Sequence, residues 1–238
     1  MQRPGATVDK TGSHPQDDAQ GEALRAPRYT DAPERIRGLP VDHRGFPVPF
    51  FAAWIDGKPD HRVVDRARLG PAVLKDLCWI CGEPLAGDRA YVMGPTSAFN
   101  RVTTEPASHW DCGCFAASAC PFLTRPRMRR SHKGLEAAEV TPPGGMAEHN
   151  PGVCVVWATP AFRPTLHRDG KTRLYEIGDP TRVAWFREGR PATRAEVIEA
   201  LDEVIDTYRP RVAAAGPAAA EQLARYTDRV LALAPAPP

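Results

Sequence analysis

Hydrophobic and polar positions follow distinct patterns along this chain, and the pattern changes at identifiable points. Residues 1–36 mix Gly, Pro, Asp, Gln and Arg with no apolar period. Such a stretch buries too little surface to offset the entropy of ordering, so a disordered N-terminal arm is expected. Beyond it, GFPVPFFAAWIDGKPDHRVVD offers two extended runs either side of an Asp56-Gly57 turn, which predicts a hairpin with Pro47 and Pro49 at its edge. RARLGPAVLKDL predicts a short helix opening near Pro71. RAYVMGP and NRVTT predict a second hairpin around Thr96 to Asn100, and Pro106 and Ser108 then mark the start of another helix.

The second half of the chain is patterned differently. RPRMRRSHKG and TPPGGMAEHNPG read as a surface connection between residues 125 and 150, because Pro, Gly and charge punctuate them throughout. Val153 to Ala158, Arg173 to Ile177 and Arg182 to Phe186 are extended runs, with Asp169-Gly170 and Asp179-Pro180 as turns between them. They predict an antiparallel β-meander. Thr193 and Glu196 fit a capping box that opens a helix with Val197, Leu201, Val204 and Tyr208 on its buried stripe, ended by Pro210. A last helix over Ala218 to Ala232 would place Leu223, Tyr226, Val230 and Leu233 on one side. The expected fold class is α+β: a disordered arm at 1–36, a hairpin and metal module at 37–135, and a β-meander with C-terminal helices at 150–234, the last two able to form one domain.

Composition narrows the function classes. A hydrophobic fraction of 42% with 25% charged residues is that of a globular protein, and a formal net charge of +2 excludes strong whole-molecule attraction to nucleic acid or to an anionic membrane. No apolar run approaches the roughly 18 residues of a membrane helix, and the first residues lack the apolar stretch of a signal peptide. A cytoplasmic protein with no membrane partner is expected. In that compartment the closely spaced cysteines among the 6 present read as metal ligands and not as disulfides.

CWICGEPL sets Cys78 and Cys81 three residues apart with Gly82 behind them, a spacing at which a tight turn directs two thiolates to one ion. In EPASHWDC, His109 and Cys112 stand three apart at the start of the expected helix, on one face. Knuckle, hairpin and helix in that order follow the plan of the treble-clef zinc module. Three thiolates and one imidazole fill a tetrahedron and leave no open position, so the ion is expected to be a structural Zn2+. Cys114 is a weaker candidate, since two residues on from Cys112 it points to the other side of a helix. Cys120 lies about 12 Å further along the axis, out of reach. Cys154, within the apolar VCVVWA, belongs to the core.

Behind this helix Arg125, Arg127, Arg129, Arg130 and Lys133 form a basic run that could neutralise phosphates of a nucleic acid; the alternative is a solvated loop, with a protein as the partner. No catalytic residues are legible. A nuclease of the HNH type needs a histidine base on the hairpin, and Gly82 to Ser108 contains none. A zinc deaminase needs His-x-Glu upstream of its cysteine pair, whereas His61 is followed by Arg62 and Val63.

Several segments taken together, RGFPVPFFAAWIDGKPD, CWICGEPL, the GP of VMGPTS, EPASHWDC with Cys120-Pro121, NPGVCVVW and WFREGRPATRAEV, resemble a family of small zinc-knuckle proteins encoded by tailed bacteriophages, prophages and mobile elements of high-GC bacteria. The resemblance runs from about Arg44 to Leu201. It maps the family's paired cysteines onto Cys78 and Cys81 and its His-x-x-Cys onto His109 and Cys112. At Cys114, where the pattern has a small residue, this chain departs from it. The resemblance implies a mobile-element origin and no activity.

Overall fold

The structure, a computed structural model, describes residues 31–131, 133, 148–170 and 172–237. Most of the expected arm, residues 1–30, lies outside them. Its C-terminal end is a correction to the sequence reading: Glu34–Arg37 form one helical turn, α1, with Ile36 fully buried. An isolated isoleucine between arginines carries no period, so only tertiary packing reveals it.

The first hairpin forms as expected from β1 (Ala52–Ile55) and β2 (Lys58–Val64), with Asp56 and Gly57 both at positive φ in the turn. Helix α2 (Arg66–Leu74) starts earlier than Pro71 indicates, because the Asp65 carboxylate accepts the Ala67 N–H at 2.9 Å and caps it. Pro71 is therefore inside the helix. β3 (Arg89–Met93) runs into α3 (Pro95–Asn100), with Pro95 at its first position, and then β4 (Val102–Thr103). The second expected hairpin does not form: Gly94-Pro95 opens a helix where a turn was anticipated, and β3 and β4 diverge into different sheets. The metal module thus keeps the order of a treble clef without its hairpin. Helix α4 (Trp110–Ala119) and the single turn α5 (Pro121–Thr124) follow.

β5 (Cys154–Thr159), β6 (Phe162–Leu166), β7 (Arg173–Ile177), β8 (Arg182–Arg187) and β9 (Arg190–Pro191) complete the strands. The three predicted runs are all strands, but they do not form a meander. β5 is buried at every position, so it needs a neighbour on each side and takes β3 and β8, in a four-stranded antiparallel sheet of order β3-β5-β8-β9. The intervening β6–β7 hairpin leaves to join β4 in a three-stranded antiparallel sheet, where β6, exposed and interrupted by Pro164, suits an edge. Residues 37–135 and 150–234 therefore share both sheets.

The two faces of β5 carry two cores. Val155 and Trp157 pack with Tyr91, Phe99, Tyr175 and Trp185 against the C-terminal helices, while Cys154, Val156 and Ala158 pack with Ala90 and Ala117 beneath α4. Gly113 lets that helix come close, since a Cβ there would stand 3.0 Å from Val156 Cγ1 and 3.3 Å from Val92 Cγ2. Helix α6 (Arg194–Ala215) opens with the predicted reciprocal capping box and buries Val197, Leu201 and Ile205. It runs on through Pro210. The N–H that proline lacks would have met the carbonyl of Asp206, which lies on the exposed side of the helix, where a missing bond costs least. The helix ends at Gly216, φ +93°, and Pro217 opens α7 (Pro217–Leu231). Among the described residues no helix is long and apolar enough to cross a membrane.

Candidate metal centre

The chain from Leu77 to Pro84 folds into a tight loop because its backbone pairs across it: Cys78 N–H donates to Glu83 O at 2.8 Å and Gly82 N–H to Cys78 O at 2.8 Å. Gly82 has φ +80°, a conformation that side-chain-bearing residues rarely adopt. A Cβ on it would also lie 2.6 Å from the Phe50 ring. Gly82→Ala is therefore expected to cost about 1–3 kcal/mol, read as a lower midpoint in thermal unfolding.

The second ligand pair is placed by a different device. Ser108 is buried and exchanges two backbone hydrogen bonds with Ala90 at the edge of the four-stranded sheet, at 2.7 and 2.9 Å. That bridge fixes the chain's direction just before His109, which occupies the N-cap position of α4 in extended conformation. One turn later Cys112 points the same way.

The side chains of Cys78, Cys81, His109 and Cys112 converge, with all four ligand atoms within 4.8 Å of one another. His109 Nδ1 lies 3.4 Å from Cys81 Sγ and 3.9 Å from Cys112 Sγ. A tetrahedral site with bonds of about 2.3 Å to sulfur and about 2.0 Å to nitrogen requires separations of about 3.5–3.8 Å, so the arrangement fits a metal ion. Further interactions orient the donors. His109 Nε2 is 3.0 Å from Pro84 O, the partner that leaves Nδ1 free to bind a metal. Cys78 Sγ accepts the N–H groups of Cys81 and His109, both at 3.4 Å.

Electrostatics point the same way. Hydrogen bonds from Cys112 and Cys81 hold the Cys78 thiol far below the usual range. Cys112 is pushed up by its contacts with Cys78 and Cys81 and by burial. At Cys81 the bond to Cys112 favours the thiolate, but the neighbouring Cys78 and burial prevail and push the thiol up to about 11. Three sulfurs this close do not all carry charge unless a cation neutralises them.

The remaining cysteines lie elsewhere. Cys114 points to the opposite side of α4 into the core beneath that helix, and burial pushes its thiol up to about 11. Cys120 forms the junction of α4 and α5. Cys154 is buried in β5, and burial pushes it up to about 12. What the sequence reading missed is the surround: Arg35 Nη1 binds Asp111 Oδ1 at 3.0 Å and its Nε lies 3.4 Å from Glu83.

The basic run opens with a turn, Met128 N–H donating to Arg125 O at 3.0 Å. Arg130 N–H donates to Glu148 O at 2.7 Å, Asn150 N–H to Met128 O at 2.9 Å, and Arg62 Nη1 holds the carbonyls of Ser131 and Lys133, each at 3.0 Å. Arg127, Arg129 and Lys133 are exposed, whereas Arg125 is half-buried. Arg130 is committed elsewhere: it donates to Arg62 O at 3.1 Å and lies 5.3 Å over the Phe122 ring.

Fold and site together define an α+β protein with a built Cys3His centre able to hold a metal ion. No family model matches the chain, and no curated protein or solved structure does so either.

Proposed function

We propose that this is a structural-zinc protein that works by binding, as a nucleic-acid-associated or adaptor protein of the phage and mobile-element type, with the metal as scaffold. The observation that carries the reading is the closed donor set: three sulfurs and one imidazole use every position of a tetrahedron, leaving none for a substrate. Sulfur-rich tetrahedral sites select zinc over the harder divalent ions. The resemblance to phage zinc-knuckle proteins agrees with this choice.

Nucleic acid is the favoured partner because Arg127, Arg129 and Lys133 face solvent close together in the chain, with Arg62 hydrogen-bonded to the carbonyls of Ser131 and Lys133. The test is titration of duplex and single-stranded oligonucleotides across a range of salt. The Arg127/Arg129/Lys133→Ala triple variant is expected to bind more weakly and to flatten the dependence of log affinity on log salt by about 2–3. Salt-insensitive binding, or none by the wild type, removes nucleic acid from the proposal and leaves the adaptor role.

A further inference from the structure

We infer that residues Ala32 to Leu39 form a strap that retains the metal, and that Arg35 is a positioning residue for the centre. The inference rests on the four-ligand reading above and extends it to a segment that contributes no ligand. Ala32 and Ile36 are 1% and 0% exposed and pack directly with Cys78, Cys81 and Cys112, with Leu39 beside them. The turn that presents them is closed by its own bonds: Ile36 N–H to Pro33 O at 2.8 Å, Gly38 N–H to Glu34 O at 3.1 Å, and Arg37 Nη1 to Ala32 O at 2.9 Å. Hydrocarbon thus covers one side of the sulfurs and keeps water from them.

Arg35 supplies the charge. Three thiolates, a neutral imidazole and a divalent ion leave one negative charge in excess, and Asp111 and Glu83 add to it. The Arg35 guanidinium reaches both carboxylates, Asp111 at 3.0 and 3.3 Å and Glu83 at 3.4 Å. Asp111 adjoins Cys112 and Glu83 follows Cys81 by two residues, so one arginine ties the helix half of the donor set to the knuckle half. A hollow of about 340 Å³, lined by Glu34, Arg35, Gly38, Leu39, Cys81 and Glu83, lies where the strap's edge meets Cys81. Lifting the strap along that edge is the route by which the ion leaves.

The experiment uses the zinc-loaded full chain and follows transfer of zinc to an excess of a chromophoric chelator. Arg35→Met and Ile36→Ala are each expected to release zinc about tenfold faster than the wild type. Arg35→Lys keeps the charge but loses the planar fork that reaches both carboxylates, so its rate should rise by about threefold, between the wild type and Arg35→Met. If Arg35→Met does not fold, Arg35→Gln, which loses the charge but keeps a polar side chain, is read in its place. In trypsin, chelator should speed cleavage after Arg35 and Arg37 before cleavage after Arg182 and Arg187, which lie on the sheet. Wild-type release rates in the Met and Ala variants, or an equal effect of Lys and Met, overturn the inference while leaving the metal site standing. A wild type that takes up no zinc overturns both.

Discussion

Cys78→Ser and Cys112→Ser proteins are expected to lose the bound ion and, with it, most of their resistance to unfolding. Binding to structural zinc sites is worth about 10–16 kcal/mol apparent, against a net stability of about 5–15 kcal/mol for a whole domain. Here the centre joins the knuckle to the first turn of α4, and α1 packs in the same cluster. A loss of about 5 kcal/mol would lower the thermal midpoint by roughly 10–20 °C in a chain of this size. Metal analysis of the purified variants, paired with thermal melts with and without chelator, reads both effects. Cys114→Ser is the internal control, since that thiol faces the core beneath α4 and its loss should leave the metal content unchanged. Unaltered melting of the metal-free wild type would reject the assignment.

Trp157→Ala is expected to cost about 3–5 kcal/mol, the largest effect of any substitution away from the metal. The side chain is fully buried on the β5 face that looks towards the second sheet and the C-terminal helices. Its indole N–H donates to Gly178 O at 3.1 Å, and the Arg101 guanidinium lies 5.4 Å over its ring while pairing with Asp179 at 2.7 Å. Truncation leaves a large cavity, an unmet, partly buried carbonyl and a displaced ion pair. Urea unfolding should show a lower midpoint at unchanged slope; a midpoint shift corresponding to under about 1 kcal/mol would mean that the core closes around the gap.

The donor set could be read from the sequence because its members come in two pairs, each joined by local geometry: a turn for Cys78 and Cys81, one helical turn for His109 and Cys112. Thr193 and Glu196 were readable for the same reason, as a capping box is decided within four residues. What escaped was set by distant partners. Val153 to Ala158 announces a buried strand, but which strands flank it depends on β3 and β8 and not on its own residues. Phe162 to Leu166 looks too polar and proline-broken to be a strand until β7 pairs with it. Arg35 is one arginine among many until Asp111, 76 positions away, gives it a partner.

The pairing of β3 with β5 and of β4 with β7 has a consequence for biosynthesis. All four donors are translated before β5, the strand on which their helix rests. The residues that cover the sulfurs, Ala32 to Leu39, are made before the donors, so the centre can close while the helix that carries half of it still lacks the strand beneath it. The final fold can take shape only after synthesis has passed β8.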